Sequence, residues 1–352
     1  MPAGLVGDYQ KAFLKKSWLF LGLLLLLVLL VLLSVSVGSY RLSLSQLVRS
    51  LLGLEEGAPQ VVIWNVRLPR IAAALVTGGG LGISGLAIQG LLRNPLGSPF
   101  TLGISQGAAF GASFAIIVLA TESMPAAATG LAGAWGILST TGCAFLGAAA
   151  TTAIILLLAR LRRMSAESII LAGVALSSLF MAATILVQYF ASEQEIARAV
   201  FWTFGDVSRS GWPEIAVLAA VTSLVIIYFI HQRWNLNALS AGDDVARSLG
   251  VSVERLRLGG MLLAAAVAAL ATAFNGVIAF LGLLAPHIAR RIAGVDYRLS
   301  IPFSCLVGAE LLLAADTLGR LVVGSGALPV GVLTSFMGAP LFLYLLLKGA
   351  RR

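Results

Sequence analysis

Among the polar side chains within long apolar stretches of this sequence, seven are candidates to line a path: Thr77, Ser84, Gln89, Ser105, Gln106, Gln188 and Asn275. A polar group in an apolar helix costs free energy, so it either hydrogen-bonds a neighbouring helix or lines a path for something polar. Hydroxyls and amides suit both roles, and both stay open for each residue. The sequence holds no P-loop. Its only histidines are His231 and His287, and its only cysteines Cys143 and Cys305. No metal-type spacing results, so no metal site and no catalytic constellation are expected. The only acids expected deep within an apolar helix are Glu310 and Asp316, which disfavours an ion-coupled carrier. Asp316 and Arg320 stand four apart and can pair.

Gly80, Gly82 and Gly85 spell G-x-G-x-x-G. No strand precedes them and no acid follows about 20 positions on, so a dinucleotide site is excluded. With Gly78 they predict a close helix crossing, extended on the next helix by Gly103, Gly107 and Gly111. The polar run at 239–251, "LSAGDDVARSLGV", predicts a short helix with Asp243 and Asp244 at its positive end. Both acids can support Arg247 on one face, and Gly250 can end the helix. Such a helix is marginal alone and implies a packing partner. Pro95, Pro99 and Pro286 are expected to break or end helices, Asn94 to cap the next one, and His287 to hydrogen-bond at a corner.

The elements that position these residues follow from solvent. Of 352 residues 59% are hydrophobic and 11% charged, with a mean hydropathy of +0.97. An ordinary soluble domain carries about 25% charge, so this is an all-α polytopic membrane protein. Spans need about 20 apolar residues. They are expected near 18–37, 67–91, 98–120, 129–159, 166–190, 213–231, 257–274, 277–292, 300–319 and 328–348, ten transmembrane helices in one domain covering 1–352. The fourth is long enough to include a re-entrant part near Trp135. The seventh and eighth are separated only by Asn275 and Gly276. With both termini cytoplasmic, the outer segments hold Arg41, Arg49, Arg67, Arg70, Arg198, Arg209 and Arg320. The inner ones hold the other 17 of the 24 Lys and Arg, among them Arg163, Arg351 and Arg352. Positive charge thus accumulates inside, as topology requires. The net charge of +9 is scattered over helix ends, which argues against nucleic acid.

Segments 85–95 and 276–286, "GLAIQGLLRNP" and "GVIAFLGLLAP", echo one another weakly, as repeats in transporters do. In combination with "RLPR" at 67–70, "GLAIQGLLRNPLGSPFTLGISQGA" at 85–108, "GVIAFLGLLAPHIARRIAGVDYR" at 276–298, "GAELLLAADTLGR" at 308–320 and "LPVGVLTSFMGAPLFLYLL" at 328–346, they carry a resemblance. From about residue 60 the chain resembles the FecCD-type permease subunits of type II ABC importers for iron-siderophore, haem and cobalamin. The resemblance implies ten helices per subunit and a second permease subunit in a homodimer. It also implies two cytoplasmic ATPase subunits that bind ATP and Mg, an extracytoplasmic substrate-binding protein, and a bacterial inner-membrane location.

By the same resemblance, Arg67, Arg70 and Arg320 look like the arginines that receive acidic residues of the binding protein. Asp243, Asp244, Arg247, Leu249 and Gly250 look like a coupling helix for the ATPase, in a cytoplasmic loop at 232–256, with 1–17 as an N-terminal tail. Asn94, Pro95, Pro99, Pro286 and His287 look like gate or corner residues. No cofactor is expected on this chain. A ferric siderophore is the expected cargo, with haem and cobalamin as alternatives.

Overall fold

The computed structural model describes residues 3–38, 40, 42–119, 131–162, 166–323 and 328–349. Arg41, Arg163, Arg351 and Arg352, used in the charge partition, lie outside them. The described chain is all-α. Helix α1 covers Ala3–Ser36, α2 Leu44–Leu51 and α3 Ala58–Val61, which runs through a π-helical turn into α4, Leu68–Leu91. Then follow α5 (Ile104–Ile117), α6 (Leu131–Arg162), α7 (Ala166–Tyr189), α8 (Glu193–Thr203) and α9 (Trp212–His231). Two short helices, α10 (Arg233–Ser240) and α11 (Asp243–Ser248), precede α12 (Val253–Asn275), α13 (Leu281–Ala293), α14 (Tyr297–Val323) and α15 (Val330–Gly349).

Among the described residues, seven helices are long and apolar enough to cross a membrane, in α1, α3–α4, α6, α7, α9, α12 and α14. Two of the ten expected spans are shorter. Helix α5 has 14 residues and α13 has 13, so each reaches about 20 Å at 1.5 Å per residue, short of a hydrocarbon core of about 30 Å. Helix α15 has 20 residues, Val330–Gly349, close to the expected 328–348. The expected helix from 98 begins only at Ile104, because Ser98 and Thr101 exchange side-chain and backbone hydrogen bonds at 2.9 and 3.1 Å and Gly103 turns left-handed at φ 78°. Helix α6 is continuous through Trp135, with no re-entrant break. Helix α1 starts at Ala3, so the expected tail at 1–17 is largely helical and runs into the first span.

Helix α4 is the centre of the bundle. A β-carbon at Gly78 would collide with the carbonyl of Gly308 on α14, one at Gly82 with that of Ser304, and one at Gly85 with that of Gly282 on α13. Bare glycine lets these backbones touch, as the sequence predicted. Ser304 Oγ then donates to the Gly82 carbonyl at 2.8 Å. Gly107 and Gly111 do the same for α5 against Gly147 and Cys143 of α6. Gly103, which starts α5, makes its close approach to the Gly173 carbonyl and Ser177 of α7 instead.

Pro286 was expected to end a helix but lies inside α13. It has no N–H for the Gly282 carbonyl, four residues back, and that oxygen is the one pressed against Gly85. A close Cα–H···O contact across the helices takes the place of the missing bond. Before α13 the chain is not helical: Gly276 has φ 75°, Phe280 φ 62°, and Val277 bridges Phe204. The two echoing segments therefore differ locally, since the first is helical through Leu91 and the second begins extended. They meet in space, where Gly85 lies against the Gly282 carbonyl, and just beyond the first segment Phe100 stacks on Phe280 at 6.2 Å between ring centres.

Candidate functional site

Two polar clusters occupy opposite ends of the bundle, with a neutral cavity between helices nearer its middle. The cluster at the expected outer end forms around Asp316, which is fully buried. Arg70 Nε donates to its Oδ1 at 2.8 Å and Arg320 Nε to its Oδ2 at 3.1 Å. Asp206, in the turn after α8, stands 3.6 Å from Arg70 Nη2. That Nη2 is buried without a hydrogen-bond partner. Arg320 Nη1 also donates to the carbonyls of Ser34 and Val37 at 3.0 and 2.8 Å. Arg67 donates to the carbonyls of Val35, Ser36 and Tyr40 and is only 4% exposed. The last carbonyls of a helix have no intrahelical donors. Arg67 and Arg320 supply them for α1, so the exposure expected of a docking group is not found at Arg67.

The cluster at the expected inner end is organised by Arg257, which sequence reasoning counted only as an inner charge. Its Nη2 donates to both oxygens of Asp243 at 3.1 Å and its Nε to the carbonyl of Leu91, at the end of α4, at 3.0 Å. Arg93, left-handed at φ 47°, reaches Asp243 at 3.8 Å. Asp243 was expected to support Arg247; only Asp244 does, at 3.2 Å. The reason is that Asp243 faces back to α12 and α4. Gly250, at φ 84°, ends the short helix as expected. Leu249 is 68% exposed and Val245 44%, an apolar tip on a charged helix. A second fastening ties α10 to α14: Asn237 Nδ2 donates to Asp296 Oδ1 at 2.9 Å, and Asn237 Oδ1 accepts from the Tyr297 N–H at 3.0 Å.

Most candidate path residues prove to join helices. Asn275 is fully buried; its Nδ2 donates to Thr77 Oγ1 at 3.0 Å and its Oδ1 accepts from Ser210 Oγ at 2.9 Å. Ser84 Oγ donates to the Ala264 carbonyl at 2.7 Å. Gln89 donates to the Leu283 carbonyl at 3.4 Å and accepts from Arg290. Ser105 borders a small void with Thr272 and Phe280. Gln106 and Gln188 are half-buried on α5 and α7 and are not drawn into these networks. Asn94 does not cap a helix. Its Oδ1 accepts from the Leu96 N–H at 2.8 Å, which closes the turn containing Pro95. Pro99 packs against Gly282. His287 is half-buried and makes no hydrogen bond among the described residues, so the expected corner bond is absent.

A cavity of about 570 Å³ opens where the non-helical stretches converge on α15. Phe100, Phe204, Val277, Ala279, Ser335 and Phe336 are among its walls. No ionisable or metal-ligating side chain lines it, and among the described residues no group of His, Cys, Asp or Glu is placed to hold a metal.

Residues 26–348 match the model of the FecCD transport family. The chain is 49% identical over 343 residues to a Methanocaldococcus jannaschii protein described as an ABC transporter permease, covering 97% of this chain and 98% of the relative. It is 37% identical over 332 residues to the hemin transport system permease protein HmuU of Yersinia pestis, covering 94% and 96%. Among solved structures it resembles one described as an inward-facing metal-chelate-type ABC transporter. The TM-score is 0.79 at 31% identity, with 95% of this chain and 99% of the other covered.

Proposed function

Because the chain belongs to the FecCD transport family, we propose that it moves an intact iron chelate, a ferric siderophore, from a binding protein into the cytoplasm. It is a multi-pass permease subunit of a metal-chelate-type ABC importer and has no catalytic site of its own. The observation that carries the cargo reading is the cavity beside α15. Its aromatic and small neutral walls offer nothing that would strip iron from its ligand. Such a surface suits a large cargo carried whole, with selection left to the binding protein. Haem is the second reading, favoured by the likeness to a hemin permease.

In this reading α5, α13 and α15 complete ten spans, two copies form a homodimer, and two ATPases supply ATP hydrolysis. Both termini are cytoplasmic. Helix α11 acts as the coupling helix: its Leu249 and Val245 tip enters the ATPase, and Asp243 transmits the movement. Arg70 is the docking arginine with donor capacity to spare, while Arg67 and Arg320 hold the wall beside it. Complementary charge there gives register and encounter rate more than raw affinity.

The test is reconstitution in liposomes with the cognate ATPase and binding protein, followed by uptake of ferric siderophore, haem and cobalamin in parallel. ATP-dependent uptake of the siderophore is expected. Uptake of cobalamin alone would overturn the cargo, and transport without ATP would overturn the class. Retained coupling in the triple alanine variant of Asp243, Asp244 and Leu249 would remove the role given to α11.

A further inference from the structure

A second recess of about 570 Å³ lies away from the chelate cavity, between α9 on one side and α4 and α14 on the other. Val76, Ile226, Ile301 and Leu306 are among its apolar walls, and Ala219 lies along it. Its cytoplasmic end is different. Arg233 and Arg298 both line it there. Arg233 Nη1 donates to the Ile230 carbonyl at 3.3 Å, but its Nε is buried without a hydrogen-bond partner. Arg298 is held by Asp296 at 2.7 Å and lies over Trp234, 4.9 Å from the ring centre. Trp234 is itself 57% exposed, an aromatic ring at the level where a span meets headgroups. Pro302, also in the wall, has no N–H for the Arg298 carbonyl four residues back.

The geometry points to a site for an anionic phospholipid: one acyl chain in the groove between α4, α9 and α14, and the phosphate at Arg233 with Arg298 beside it. An apolar slot with a cationic mouth matches a lipid in both halves. A water-soluble anion would leave the slot empty, and a free fatty chain would leave Arg233 Nε unpartnered. The mouth carries two arginines against one aspartate, so a headgroup of net negative charge fits it better than one bringing its own ammonium. Basic pockets between spans on the cytoplasmic side bind such headgroups in general. This inference needs only that the chain spans a membrane, and it is independent of the cargo.

The test is native mass spectrometry of the full-length permease in detergent, offered phosphatidylglycerol, phosphatidylcholine or inorganic phosphate at equal concentration. Phosphatidylglycerol should remain bound in preference to the other two. Arg233→Gln should weaken its retention about fivefold, the effect of roughly one cation near a lipid surface. Ala219→Phe, which fills the slot without touching the arginines, should release the lipid while the protein stays monodisperse. Equal retention of both lipids, an adduct with phosphate alone, or retention unchanged in both variants would overturn the site. None of these readings depends on transport, so they stand apart from any failure of the cargo assignment.

Discussion

Arg257 joins Asp243 to the end of α4: one guanidinium nitrogen donates to both carboxylate oxygens at 3.1 Å while another donates to the Leu91 carbonyl at 3.0 Å. The short helix α11 is thereby fastened to the central helix of the bundle, and a push on one is felt by the other. Charge-assisted hydrogen bonds of this kind contribute about 1.5–3 kcal/mol each. Arg257→Gln should therefore lower uptake by about tenfold or more in liposomes while ATP hydrolysis by the assembled complex continues. Parallel assays of uptake and phosphate release check this. Equal loss of both activities would indicate failed assembly rather than lost coupling.

Asn275 is the buried knot between α12, α4 and the turn before α9. Asn275→Ala leaves the hydroxyls of Thr77 and Ser210 without their partner, at a cost of about 1–3 kcal/mol. The thermal midpoint of the purified protein should fall by several degrees. Thr77→Ala added to Asn275→Ala should lower it little further, because the bond is already gone. Full additivity of the two would argue that they do not interact.

Gly85 and Gly22 give a matched contrast. A β-carbon at Gly85 meets the backbone of Gly282, which cannot move aside, whereas one at Gly22 meets nothing within 4 Å. Gly85→Ala should destabilise by about 1–3 kcal/mol or more through overpacking. Gly22→Ala, on the exposed first helix, should be neutral or favourable by up to about 1 kcal/mol from helix propensity. Yields of monodisperse protein and thermal midpoints of the two variants read this directly. Similar behaviour of both would contradict the close crossing.

Much of this was legible in the sequence because the bilayer enforces simple rules. Apolar runs gave the helices, and the glycine spacing on α4 gave its crossings. The shortening of α13 was not legible, since residues 277–280 are as apolar as the helix they adjoin; that of α5 was missed although Ser98, Pro99, Thr101 and Gly103 are turn formers. The non-helical shape of both stretches follows from Gly103, Gly276 and a stack between Phe100 and Phe280, a contact far apart in sequence. Pro286 misled for a related reason: the donor it lacks is compensated from Gly85, on another helix. The partner of Asp243 was misread because spacing favours neighbours such as Arg247, and nothing local announces Arg257.

Asp296 sits just before α14, outside the spanning segment. Burial opposes its charge, but hydrogen bonds from Arg298 and Asn237 outweigh it and hold the carboxyl at about 2, below the ordinary 3.8. A value depressed in the folded state contributes stability above the unfolded value and loses it as pH falls through the folded one. The window runs from about pH 4 down to about pH 2. The thermal midpoint of wild type should exceed that of Asp296→Asn near neutrality, with the gap closing across that window. A gap that stays constant on acidification would mean the carboxylate charge is not what fastens α10 to α14.

The outer cluster makes a prediction with two signs. Arg70 is shared between Asp316, which is fully buried, and Asp206, whose side chain is 35% exposed. An incoming carboxylate from a binding protein can displace Asp206 but not Asp316. Asp206→Asn should therefore strengthen docking by freeing Arg70 Nη2, and Arg70→Gln should weaken it. Charge pairs that face solvent contribute only about 0.2–1 kcal/mol, so Asp206→Asn should change affinity roughly twofold to fivefold; Arg70→Gln, which also removes a partner of the buried Asp316, should do more. Both should shrink as salt rises, because the competing groups face solvent at that end. Binding of the purified binding protein to nanodisc-embedded permease, measured at low and high ionic strength, separates the cases. Weaker docking in Asp206→Asn would mean that the aspartate positions Arg70 instead of competing for it.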